Sequence, residues 1–164
     1  MPPSHALYTA KVFKRIAAMR LADGKELLEL PTSDRAATDA GHRHLWAAMY
    51  LSGYAVECLL KAYIIQEMHA HTLEEAIEAL DERRSKLGRK PYTSIMRTAA
   101  GHNISFLVQL SEINVSTQTD PWATVLLWSS SWRYNTTKVP RANAEEFVMN
   151  ISRIVEWLLV KLGG

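Results

Sequence analysis

Apolar residues recur every three or four positions along most of the chain, and the strict alternation of a strand is nearly absent. Between Leu7 and Leu30 they fall at Val12, Ile16, Met19, Leu27 and Leu28 with polar residues between them. That spacing predicts an amphipathic helix, with Gly24 as the place where it could break. PTSD at 31–34 stops this helix and supplies caps for a second long one. The second helix is expected from about Ser33 or Asp34 to about His69, with Gly41 as a point of irregularity. It is apolar on nearly every face, which places it at the centre of a bundle. Within it, Ser52 and Gly53 would let a neighbouring helix or a second subunit approach closely.

The remaining helices follow from caps and stripes. Thr72 with Glu75 three residues on is a capping box. The helix it opens carries a thin stripe (Leu73, Ile77, Leu80, Leu87) and is expected at the periphery. ISFLVQL at 104–110 reads as a short helix. STQTDP at 116–121 reads as a linker in which Asp120 caps and Pro121 opens the helix WATVLLWSSSW. Asn143 and Glu146 form a second capping box. The last helix has apolar positions at Phe147, Val148, Ile151, Ile154, Val155, Leu158 and Leu159, and Gly163 ends it. The expected fold class is all-α, an up-and-down bundle of four to five helices forming a single domain over 1–164. No repeat or domain linker is visible.

Composition narrows the class. At 164 residues, 48% hydrophobic and 22% charged, the chain has the balance of a soluble globular domain. A net charge of +2 is too mild to imply nucleic acid by bulk charge. One cysteine excludes an internal disulfide framework and a CxxC metal site. The N-terminus lacks the apolar core of a signal peptide, and a cytoplasmic location is the expectation. The longest uncharged stretch, Leu45 to Val56, is shorter than the roughly 20 residues a membrane span requires, so no membrane partner is expected.

Three segments carry a family resemblance. GYAVECLLKAY (Gly53 to Tyr63) resembles the central helix of HEPN-domain proteins. GHNISFLVQL (Gly101 to Leu110) is similar to that family's "HDL" turn and the short helix after it. WRYNTTKVPRANAEEFVMNISRIVEWL (Trp132 to Leu158) is similar to its RY segment and last helix. The resemblance runs from about Ala17 to Leu162. It implies an α-helical bundle, frequent dimerisation, and an association with nucleotides or RNA. It also implies a small nucleotidyltransferase as a partner protein, in a prokaryotic toxin–antitoxin or defence pair. Other members of the family are metal-independent ribonucleases using an arginine and a histidine in an R-x(4–6)-H pattern.

The central helix poses the chemical question. Glu57 and Lys61, at i and i+4, share one face of a helix that should be buried. A buried charge needs a partner; breaking such a pair costs on the order of 3–5 kcal/mol. Arg133 is the expected partner of Glu57, with Tyr134 as an added donor, while Lys61 snorkels outward. Glu57, Lys61, Arg133 and Tyr134 then form either a polar pocket for a nucleotide or a structural ion pair that fixes helix register.

The ribonuclease pattern has two matches, Arg97 with His102 and Arg35 with His42. Accidental spacing supplies about one such match in a chain with this many arginines and histidines. The segment ahead of the last helix, where the family's ribonucleases carry the motif, has Arg133 and Arg141 but no histidine. His102, at the HDL position, is expected to cap a helix. If the pair is catalytic, His102 exchanges the 2′-hydroxyl proton and Arg97 stabilises the phosphate. No metal is expected, because His42 and His44, like His69 and His71, diverge on a helix and no carboxylate or thiol completes a set. No cofactor is expected. The basic turn Arg83, Arg84, Lys86, Arg89 and Lys90 reads as a solvated surface or a phosphate contact. Trp122, Trp128, Trp132 and Tyr134 read as core or as a base-stacking set. The reading is a non-catalytic, homodimeric helical module that binds a nucleotide, RNA or a protein partner. The alternative is a metal-independent endoribonuclease using Arg97 and His102.

Overall fold

In a computed structural model of the chain, residues 8–30, 39–89, 91–92, 102–115, 120–135 and 137–163 are described. They hold six α-helices and no strand: α1 (Ala10–Glu29), α2 (Asp39–Glu67), α3 (Leu73–Lys86), α4 (Ile104–Ser111), α5 (Asp120–Val125) and α6 (Arg141–Lys161). A 3-10 turn (Ser130–Tyr134) lies between α5 and α6. The all-α expectation holds for these residues.

Helix α2 is the core. Ala55, Val56, Leu59, Leu60, Ile64 and Ile65 are fully or almost fully buried, with α1, α3, α4, α6 and the 3-10 turn packed around it. Its stretch from His44 to Glu67 is long and apolar enough to cross a membrane, with a mean hydropathy of 1.2. Most of that stretch is buried inside the protein, as a central bundle helix should be. The expected start near Ser33 or Asp34 lies outside the described residues. The helix runs unbroken through Gly41 and ends two residues earlier than expected, at Glu67, shortly before His69 adopts φ +51°.

Two glycines set how closely α2 is approached. Helix α1 passes straight through Gly24, and glycine is needed there because a Cβ would lie 2.3 Å from Ser52 Oγ and 2.9 Å from the Ala48 carbonyl of α2. At Gly53 a Cβ would lie 2.1 Å from the indole of Trp128. Trp128 also donates its indole N–H to the Tyr50 carbonyl at 3.1 Å. This contact explains why WATVLLWSSSW is not one helix. The chain leaves α5 at Val125 and turns through Leu126 and Leu127. Trp128 is thereby delivered into α2 with its N–H satisfied, which outweighs a further helical turn. Ser52 and Gly53 thus serve contacts within the chain, and no surface is left there for a second copy.

The caps are mixed. Thr72 accepts from the Glu75 N–H at 3.2 Å, as the box predicts, and the Glu75 carboxylate accepts from the His71 N–H at 2.8 Å. Helix α6 starts two residues before the expected Asn143 cap, at Arg141, behind Pro140 and with no side-chain cap. The Arg141 guanidinium instead donates to the carbonyls of Leu28 and Leu30, satisfying the end of α1. Leu162 closes α6 with N–H donations to Leu158 and Leu159, and Gly163 follows at φ +70°.

Candidate functional site

Glu57 sits at the middle of α2 with its side chain 0% exposed. Its Oε1 accepts from Lys61 Nζ at 2.5 Å and lies 2.9 Å from His102 Nδ1. Lys61 is 10% exposed and His102 51%. One buried carboxylate oxygen therefore joins a nearly buried ammonium, one turn on along the same helix, to an imidazole that opens to solvent. The other oxygen, Oε2, is buried and has no partner among the described residues.

Local structure brings His102 there. Asn103, not His102, caps α4: its Oδ1 accepts from the Phe106 N–H at 2.9 Å. His102 stands one residue ahead of the cap, so its ring is free to turn onto α2. The contact with Glu57 orients the imidazole through Nδ1, in a side chain that stays half exposed.

The expected partners of Glu57 are elsewhere. Arg133 and Tyr134 are exposed, and the guanidinium lies 4.8 Å over the Tyr134 ring. Their place follows from Trp132, which turns inward against Trp46 and Phe147 at 5.2 Å from each ring and directs the next two residues outward. The 3-10 turn meets α2 near Trp46, eleven residues or about 16 Å before Glu57 along the helix. Lys61 does not snorkel; it turns back onto the carboxylate. The polar cluster is thus Glu57, Lys61 and His102, without Arg133 or Tyr134. Sequence reasoning held Glu57 and His102 as separate candidates and gave no sign that they meet.

Around this cluster the groups are held neutral. Burial, and then the Glu57 carboxylate, push the Cys58 thiol up to about 12. Burial likewise raises the Tyr54 hydroxyl, with Cys58 and Glu57 adding to the effect. A protonated, buried thiol is no nucleophile, so Cys58 is packing material.

The other candidates do not join this cluster among the described residues. Arg97 and Arg35 lie outside the described residues, and His42 is in α2 without a described side chain. His44, His69 and His71 are exposed. Among the described residues no three metal-ligating side chains gather. In the basic turn, Arg84 stacks 3.9 Å over Tyr92 and Lys86 pairs with Glu82, while Lys90 lies outside the described residues. Trp122 and Trp128 are buried, and Trp122 packs edge-on against Trp157. A crevice of about 190 Å³ between α2, α3 and the end of α4, lined by Tyr63, Glu67, Arg83 and Glu112 among others, was not foreseen.

Comparison with protein-family models, with curated proteins and with solved structures finds no match to the chain.

Proposed function

We propose that the chain is a HEPN-like helical module that binds RNA or a nucleotide at the Glu57–Lys61–His102 cluster. The carrying observation is the link from core to surface: a fully buried carboxylate holds an imidazole that is half exposed. An ion pair serving helix register alone would be complete with Lys61. The histidine adds a second ring nitrogen at a fixed orientation on a half-exposed side chain, suited to accept from a ribose hydroxyl. The resemblance of GYAVECLLKAY, GHNISFLVQL and the WRY segment supports the bundle type and the nucleic-acid class. Self-association into a homodimer and a nucleotidyltransferase partner belong to the same reading and rest on the resemblance.

The test is fluorescence anisotropy with a labelled single-stranded RNA. The wild-type chain binds, and His102→Ala weakens binding several-fold with the fold intact. Wild-type protein that binds neither RNA nor nucleotide contradicts the proposal.

A metal-independent endoribonuclease is the second reading. Its supporting observation is that Glu57 holds Nδ1 of His102 and leaves the other ring nitrogen for proton transfer. RNA cleavage in EDTA that is lost in both Arg97→Ala and His102→Ala would establish this reading over the first.

A further inference from the structure

One stripe of α2 carries Tyr50, Tyr54, Glu57 and Lys61, spaced i, i+4, i+7 and i+11. The first half of the stripe is aromatic and the second is the polar cluster. Three rings stand nearly parallel along the aromatic half. Trp128 and Tyr50 are 5.9 Å apart at 19°, and Tyr50 and Tyr54 are 6.3 Å apart at 2°. The series is anchored at its inner end, where Trp128 fits against Gly53 and bonds the Tyr50 carbonyl. At its outer end Tyr54 stands parallel to Tyr50, and that stacking sets the direction of its ring. Tyr50 and Tyr54 are partly exposed, and among the described residues no further ring covers Tyr54. The aromatic series therefore ends, at the surface, one helical turn from the carboxylate that holds His102.

We propose that Tyr54 receives an unpaired nucleobase, extending the Trp128–Tyr50–Tyr54 series, with the adjoining ribose hydroxyl at His102. This rests on the RNA- or nucleotide-binding reading above and names what that site takes. Every base presents a π-face, so the contact is tolerant of sequence. A base inside a duplex is already stacked on its neighbours and cannot enter, which selects for single strands, loops or free nucleotides. Because the rings are already fixed, stacking orders little in the protein on binding.

The experiment titrates the full chain with AMP, with a single-stranded RNA hexamer containing 2-aminopurine, with the corresponding duplex, and with a hexamer abasic at every position. Single strand or AMP is expected to bind, with 2-aminopurine fluorescence quenched by stacking. Tyr54→Phe keeps the affinity, whereas Tyr54→Leu lowers it about tenfold or more. The abasic hexamer loses affinity to a similar degree on wild-type protein, an arm that leaves the fold untouched. Tyr54→Leu protein that is folded by circular dichroism yet binds like wild type overturns the proposal. So does a duplex or an abasic strand that binds as tightly as the intact single strand. Binding lost in His102→Ala but unchanged in Tyr54→Leu removes the stacking role and spares the underlying reading. No binding of RNA or AMP by wild-type protein overturns both.

Discussion

Two neighbouring stretches of α2 solve burial in opposite ways. Around Ser52 and Gly53 the problem is shape: backbone and indole come so close that a single methyl group does not fit. Around Glu57 and Lys61 the problem is charge: the volumes are ordinary, but a carboxylate lies out of water and needs donors. The first contact should depend on side-chain size and ignore salt and pH. The second should depend on which charges are present and tolerate changes of shape. A helix can thus be core along its whole length and still carry a site, provided the polar residues meet on one stripe and one of them reaches solvent.

The largest expected effect breaks the charged half. Lys61→Met keeps the aliphatic stem but leaves Glu57 with only His102, and should cost about 3–5 kcal/mol in urea unfolding. Next comes the shape-dependent half. Gly53→Ala drives a methyl into Trp128 and should cost about 1–3 kcal/mol, unchanged between low and high salt. If instead Gly53→Ala is neutral while Lys61→Met is costly, the close approach of Trp128 is wrong and the contrast loses its first half.

How much of this contrast could be read in advance depends on range. The helices were legible because the 3.6-residue period and the Thr72 box are local signals, and α2 was legible as the core because it lacks a polar face. The break after Val125 was not, since it depends on Trp128 finding Gly53, far away in sequence. The α6 start was missed for the same reason: the competing interaction, Arg141 with the carbonyls ending α1, spans more than a hundred residues. At the site, burial of Glu57 and its need for a cation followed from the sequence. The choice of partners did not. Arg133 was the strongest donor by residue type, but Trp132 packs inward and turns it to solvent, and His102 is delivered instead by the cap at Asn103.

Smaller effects sharpen the comparison. Cys58 lies beside the charged half, and its thiol is raised from about 9 in the unfolded chain to about 12 by burial and Glu57. Below pH 9 both states are protonated and the group is silent. Between pH 9 and 12 the unfolded chain loses the proton while the folded one retains it, so stability falls as pH rises. Tyr54, also raised, pushes in the same direction. Urea midpoints at pH 8 and pH 10 should therefore separate, and the gap should narrow in Cys58→Ala. An equal gap in both proteins would mean that the thiol is not held neutral. The smallest effect, about 1 kcal/mol, is expected for Thr72→Ala, which removes the cap of the peripheral α3 and should leave both halves of the stripe unchanged.

The claim that Glu57 is tolerated in the core because its own helix and α4 supply its partners is tested most directly by a double-mutant cycle. Stability is measured by urea unfolding for wild type, Glu57→Leu, Lys61→Met and the double variant. Each single change strands a buried group, and the double change leaves an apolar pair in its place. The account predicts a double variant well above the stability expected from summing the two single costs, by at least about 1 kcal/mol. Costs that add to within about 0.5 kcal/mol would show that the two side chains do not depend on one another, and would contradict it.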